Sequence, residues 1–311
     1  MVKNLVTVVI VNYNSGEMLL KCIKQVLAST VPVKIIVSDN ASSDDSLRLL
    51  TDAYQDNQDI HIHKNYANLG FSAANNAVYP MIETPFILYL NPDCFIGENT
   101  IEHLLQVMNN YPNAGMAGCL VTNPDGTEQA GCRGLTPTPA RVFNQMCKLG
   151  KFFPNNSKFS GYLLSDKPLP DHPVKVELIS GSCMFVRKKA IDEIGLLDAN
   201  YFLYCEDYDW FYRVLKGGWK IMFTPHTKVI HIKSYSTKQV PFKVLYYKAR
   251  GMWKYYNKFF KKHSLLTTTL LVRAGILSRL FLLSSAVLLK KIGKLIVRIL
   301  NNAMTKIQFT K

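Results

Sequence analysis

The last 102 residues of this 311-residue chain contain no Asp or Glu. All 22 acids lie in residues 1–209, where 16 Lys and Arg leave a net charge of −6, whereas the remainder carries 21 Lys and Arg. The overall charge of +15 is therefore no diffuse property. It describes a mildly acidic body joined to a basic module whose partner is an anionic surface: DNA, RNA or lipid. The seven cysteines include no C-x-x-C pair, which speaks against a zinc site or a disulfide framework and for reduced, cytosolic thiols. No signal-peptide core is evident either: the apolar run Leu5 to Val11 stops at Asn12-Tyr13-Asn14, so the chain reads as not secreted. The first strand is not followed by a glycine-rich loop, which weighs against a nucleotidyltransferase.

What is present is a folding composition, 48% hydrophobic and 19% charged. Val6 to Val11, Val33 to Ser38 and Phe86 to Leu90 are apolar without alternation, as strands covered on both faces should be, and Ile60 to His63 is a short third strand. Helices are expected between them: one capped near Ser15 with Met18, Leu19, Cys22, Ile23 and Val26 inward, one capped by Ser43, and a short one from Phe71 to Tyr79. Such strand–helix repeats predict an α/β fold with a doubly wound, mostly parallel sheet, whose ligands bind beyond the carboxyl ends of the strands. Polar residues stand there: Asn12 to Asn14, Asp39-Asn40 and Asn91-Pro92-Asp93. The proline-rich stretch from Gly134 to Lys175 reads as a mobile loop over the site. Order is expected to return with Val176 to Val186, helices from Lys188 and Glu206, and two short strands at Lys220 to Phe223 and Lys228 to Ile232.

Glu206-Asp207-Tyr208-Asp209-Trp210 puts three acids in one helical first turn, more than the helix dipole needs, and makes Asp207 a candidate general base. Asp93, just after a buried strand, can reach a divalent cation on a diphosphate, and His231 is a candidate second ligand.

These segments, together with Asn68-Leu69-Gly70-Phe71-Ser72-Ala73-Ala74-Asn75-Asn76 and Gly181-Ser182-Cys183-Met184, closely resemble the family 2 glycosyltransferases in their rhamnosyltransferase-like branch, over residues 4 to 235. The resemblance implies a GT-A fold and transfer of a rhamnose-like deoxyhexose or a hexose from a nucleoside-diphosphate sugar, with inversion, to a lipid-linked or cell-surface glycan. It implies that Asn12, Asn14, Asp39, Asn40, Asn68, Gly70, Asn75, Asn91 and Asp93 contact the donor. Gly181, Ser182, Glu206 and Trp210 would border the acceptor, Asp207 would be the base, and Asp93 and His231 would hold Mg2+ or Mn2+. Two departures stand out: Asn91 replaces the first acid of the metal motif, and Ile232-Lys233-Ser234 follows the histidine where small glycines are common, so that Lys233 could help hold the diphosphate.

The domain reading is 1–235 for the transferase and 236–311 for a basic helical extension. Within the extension, Leu265 to Leu289 is apolar except for Arg273, Arg279 and scattered Ser and Thr. Its length allows a membrane span, but an arginine at the bilayer centre costs about 2.5 to 3.5 kcal/mol. An amphipathic helix in the headgroup layer, with Lys290, Lys291, Lys294 and Arg298 on anionic lipid, is the favoured reading. The location expected is cytoplasmic, peripheral on the cell membrane. Helices packed on the body with a solvated basic face are the alternative, and no nucleic acid is expected on Leu-rich helices. A non-catalytic membrane or nucleic-acid binder is the remaining rival.

Overall fold

The computed structural model describes residues 5–154, 156–232 and 241–308, with side chains as far as 293 in the last helix. Lys233 and Ser234, the side chains of Lys294 and Arg298, and the expected boundary at 235 lie outside the described residues. The chain divides into two compact units, Met1–Ser236 and Thr237–Lys311.

The first unit begins with β1 (Val6–Asn12), α1 (Glu17–Leu27), β2 (Val33–Asp39), α2 (Ser46–Tyr54), β3 (Ile60–Lys64), α3 (Phe71–Ala77) and β4 (Phe86–Leu90). It continues through β5 (Cys94–Ile96), α4 (Thr100–Asn110), β6 (Ala114–Thr122), β7 (Arg133–Gly134), α5 (Pro139–Met146) and α6 (Leu149–Phe152). It ends with β8 (Val174–Val176), β9 (Leu178–Ile179), β10 (Cys183–Arg187), α7 (Lys188–Ile194), α8 (Glu206–Lys216) and β11 (Lys220–His231). One sheet runs β3-β2-β1-β4-β10-β6-β11-β5, with β8 also on β11, and β7 pairs with β9. The β3-β2-β1-β4 half is parallel, as is β6 on β11; β10, β5 and β8 join antiparallel, so the sheet is mixed although its longest ladders are parallel.

The apolar runs are strands because both faces are covered. β4 is buried at every position, and α1 seals one side of the sheet with Leu19, Cys22, Ile23 and Val26. The β1–β2 ladder ends on Asn12 beside Asp39, placing two buried polar residues at the carboxyl edge, where an α/β sheet offers its ligand crevice.

Three local expectations change. Ser15 and Ser43 are not the helix caps, which are Gly16 and Asp45; Asp44 links the two helix starts, its Oδ2 accepting from the Gly16 amide (2.8 Å) and its Oδ1 from the Ser46 amide (3.1 Å). The two short strands near the end are one strand, β11, whose register shifts between Thr224 and Lys228. The stretch from Gly134 to Lys175 is not a structureless loop, because buried Arg133 anchors it. Its guanidinium donates to both Glu128 carboxylate oxygens (3.0 and 3.1 Å) and to the Lys167 and Pro168 carbonyls, while Glu177 accepts from the Thr136 amide and from Arg141.

The second unit pairs α9 (Pro241–Phe259) with α10 (Leu266–Gln308). The Tyr256 hydroxyl lies 2.8 Å from that of Thr269, Arg273 stacks over Trp253, and Lys291 lies over Phe242, so the two helices run antiparallel. Leu266–Gly293 is long and apolar enough to cross a membrane.

Candidate active site

Three segments meet at the carboxyl edge of the sheet. At the first, the Asn12 side-chain amide nitrogen lies 2.8 Å from Asp39 Oδ1, 3.0 Å from Ser42 Oγ and 2.9 Å from Ser46 Oγ, and Asp39 Oδ2 accepts from the Ser42 amide. Asn14, in the left-handed region at φ 51°, accepts from the Ser43 amide. This binds the ends of β1 and β2 into one rigid polar edge. Asn40 extends it: its amide nitrogen donates to Asn68 Oδ1 and to the Gly70 carbonyl, and its oxygen accepts from the Leu69 amide.

Gly70 has φ +81° and lies against the Phe202 carbonyl, which also accepts from the Phe71 amide at 2.8 Å; a Cβ there would run into that backbone oxygen. Asn75 is buried in α3, and its side-chain amide donates to the Phe71 carbonyl at 2.9 Å.

The second segment is the turn Asn91-Pro92-Asp93 between β4 and β5. The Asn91 amide donates to the Ser182 carbonyl (2.9 Å), and Asp93 Oδ1 lies 3.3 Å from His231 Nε2. The hydrogen bonds around His231 assign its tautomer. The Gln129 amide nitrogen donates to Asn123 Oδ1 (3.0 Å) and to the His231 carbonyl (3.3 Å), leaving Gln129 Oε1 to accept from His231 Nδ1–H at 2.8 Å. Nε2 then turns its lone pair toward a carboxylate, an arrangement of two acceptors that asks for a proton or a cation between them. Cys94 shares the cluster, and burial pushes its thiol far up.

At the third segment, Tyr204 and Cys205 both take positive φ (70° and 69°) directly before α8, strain that aims the first turn of the helix. Asp207 lies there: Oδ1 accepts from the Tyr208 amide (2.9 Å), and a Cβ on Gly181 would sit 2.7 Å from Oδ2. Burial pushes its carboxyl up to about 6. Glu206 is pushed higher still, by burial first and by the charge of Asp207 second, and its buried Oε2 has no partner among the described residues.

Ser182, whose hydroxyl lies 2.8 Å from that of Ser180, links the groups: its neighbour Gly181 touches Asp207 while its carbonyl holds Asn91. Trp210 is a correction. It is fully buried, its indole N–H donates to the Gly195 carbonyl (3.0 Å) and its ring meets Tyr89 edge-on, so it packs the core and offers no surface to an acceptor. Asp209, fully buried, accepts from Arg213 at 2.6 Å and is structural as well.

Sequence reasoning did not single out Gln129, Phe202 or Tyr162. Gln129 follows a turn with no periodicity to mark it, and Tyr162, whose ring meets Tyr208 edge-on beside Asp207, lies in the stretch read as a loop.

Residues 7–195 match the glycosyl transferase family 2 model. The chain belongs to that family. Among its family 2 relatives, the N-acetylglucosaminyl-diphospho-decaprenol L-rhamnosyltransferase of Mycobacterium tuberculosis is 30% identical over 248 residues, 75% of this chain and 78% of the relative. The rhamnosyltransferase WbbL of Escherichia coli K12 is 23% identical over 291 residues, 88% and 95% of the two chains. This glycosyltransferase is thus similar to rhamnosyltransferases. Its fold is GT-A-like. The mannosyltransferase PcManGT of Pyrobaculum calidifontis, crystallised with GDP-Man and Mn2+, matches at a TM-score of 0.57 and 11% identity over 88% of this chain and 69% of that one. GalNAc-T7, crystallised with UDP, GalNAc and Mn2+, matches at 0.59 and 17% identity over 82% of this chain, which spans about half (48%) of that structure's length.

Proposed function

We propose that this family 2 glycosyltransferase moves a rhamnose-like deoxyhexose or a hexose, with inversion, from a nucleoside-diphosphate sugar to a hydroxyl of a lipid-linked or cell-surface glycan. The observation that carries the reading is the Asp207 carboxylate, half-buried and raised to about 6, lying against Gly181 in the segment that also holds the Asp93 turn.

The Asn12–Asp39–Ser42 cluster and the Asn40–Asn68–Gly70 brace present pre-set polar groups to the nucleotide and ribose. Asp207 accepts the proton of the acceptor hydroxyl as that oxygen attacks the anomeric carbon from the face opposite the diphosphate. Its raised proton affinity makes it a stronger base than an ordinary aspartate while it stays mostly ionised at neutral pH. No covalent link to the enzyme is required.

Asp93 and His231 fit a divalent cation, since a carboxylate oxygen and an Nε2 lone pair converge and Gln129 holds the imidazole in the ligating tautomer. Bound there, Mg2+ or Mn2+ would act as a Lewis acid on the departing diphosphate. The Met1–Ser236 unit is the proposed transferase, and the basic α9–α10 unit its attachment to the anionic cytoplasmic face of the membrane.

The test is thermal stabilisation of the protein by a panel of nucleoside-diphosphate sugars with and without Mn2+, followed by transfer to a lipid-linked acceptor. A donor-specific shift retained in Asp207→Asn, with transfer lost, supports the reading. Absence of any shift in the folded protein refutes it.

A further inference from the structure

Helix α5 is amphipathic in the wrong sense for a soluble surface. Its polar residue Asn144 points inward, donating to the Lys158 and Ser160 carbonyls (2.8 and 3.2 Å), and Gln145 lies against Gly161. Phe143, Met146 and Cys147, three and four positions apart, share the face turned to solvent, where Phe143 is 60% exposed. The following turn and α6 add Phe152, 74% exposed, and Phe153, which stacks near Phe159 at 4.6 Å between centroids. A scattered exposed apolar residue needs no explanation, but a clustered set does.

The charge around the cluster identifies what covers it. Residues 129–165 contain no acid; Arg141 is paired with Glu177, but Lys148, Lys151 and Lys158 stand exposed among the aromatics. Exposed aromatics among unopposed lysines suit the boundary between anionic headgroups and acyl chains, where rings enter the apolar layer and ammonium groups stay with phosphates. A protein partner of ordinary surface would leave those charges unmatched.

We propose that the α5–α6 face of the catalytic unit is itself a membrane-contacting surface that inserts Phe143, Met146, Phe152 and Phe153 into an anionic lipid bilayer, independently of the C-terminal helices. The same insert lays Tyr162 on Tyr208 beside Asp207, so the lipid-facing element and the candidate base belong to one connected piece of chain. The lipid contact holds whatever sugar the enzyme transfers, so its failure and that of the proposed activity are separable.

Cys147 supplies the probe. It is the one exposed cysteine; the other six are buried, so a thiol-reactive, polarity-sensitive fluorophore labels this position in the native full-length chain. The labelled protein is mixed with vesicles of phosphatidylcholine alone or with about a third phosphatidylglycerol, and quenched by spin-labelled acyl chains. The expected result is a blue shift and quenching on the anionic vesicles only, with the variant Phe152→Ser/Phe153→Ser weakening the response about tenfold or more. A fluorophore that stays in water while the protein sediments with the vesicles overturns the proposal, because the C-terminal unit then binds alone. So does failure to bind anionic vesicles at all. A fluorophore already shielded without lipid, or one whose shift tracks protein concentration, overturns it in favour of a chain segment or a second copy on this face.

Discussion

Substituting Asp207 by Asn separates two consequences of one half-buried carboxylate. The side chain is held well above the ordinary value of 3.8, at about 6, so its ionised form is disfavoured in the folded protein. The folded chain then binds the proton more tightly than the unfolded chain between these values, and stability is lost as pH rises through that window. About two units correspond to about 3 kcal/mol, and because Asp207 keeps part of its surface open to the cleft, the cost retained at neutral pH is about 1 to 3 kcal/mol. Asn keeps an oxygen for the Tyr208 amide, removes the charge, and relieves Glu206 of the neighbour that helps to raise it.

Asp207→Asn should therefore be more stable than the parent at pH 8, by about 2 to 4 °C in melting temperature for each kcal/mol in a unit of this size. The gap should close as the pH falls through 6 and vanish below about 4, where the aspartate is neutral in both states. Sugar transfer should fall by at least about a hundredfold, and the parent's activity should decline below about pH 6 as the base is protonated. Melting curves of both proteins across pH 4–8, with single-turnover transfer assays over the same range, give all four readings. A variant that melts at or below the parent at pH 8, or a gap independent of pH, would refute the argument that a destabilised carboxylate has been retained for catalysis.

Other substitutions isolate the remaining parts of the site. Gln129→Leu strips the acceptor from His231 Nδ1–H, so the Mn2+ concentration needed for half-maximal activity should rise about 10- to 100-fold in a metal titration, beside a stability loss of about 1 to 3 kcal/mol from the buried groups left unpaired. Gly70→Ala forces a Cβ onto the Phe202 carbonyl at a positive φ and should cost about 2 to 4 kcal/mol in denaturant unfolding. Trp210→Phe removes one buried hydrogen bond and some ring area, at about 1 to 3 kcal/mol, yet should leave the acceptor KM unchanged because the indole is wholly inside the core.

How much of this was legible depended on what kind of signal each part carries. The apolar runs of β1, β2 and β4 announced themselves because burial on both faces leaves no room for polar residues. The polar residues at their ends could be placed because the fold class says where strands deliver ligand contacts. The antiparallel insertion of β10 between β4 and β6 was hidden, since Cys183 to Arg187 reads as any short buried strand and the direction of pairing has no residue signature. The Asp44–Gly16 link and the Gln129–His231 brace were hidden as well, because each joins residues far apart in sequence through side-chain hydrogen bonds. Trp210 misled for the opposite reason: an aromatic beside acids resembles a sugar platform, but its position on α8 faces the sheet.

The arrangement around Gly181 and Ser182 keeps the proposed base and the proposed metal-binding pair on separate elements. A carboxylate keeps a raised proton affinity only in a poorly solvated place away from cations, whereas a diphosphate leaving group calls for positive charge. Placing both functions on one strand end would let a cation at Asp93 pull Asp207 back toward the value of an ordinary aspartate. The chain instead brings Asp207 in on α8 and Asp93 in on the β4–β5 turn, with the uncharged Gly181-Ser182 segment linking them through contact on one side and a backbone hydrogen bond on the other. Asn91 in place of an acid belongs to the same logic, because an uncharged side chain there adds no further negative field near Asp207. On the proposed reaction this separation is what inversion requires: proton acceptance on one face of the anomeric carbon and charge stabilisation on the other, each in the electrostatic environment that its chemistry needs.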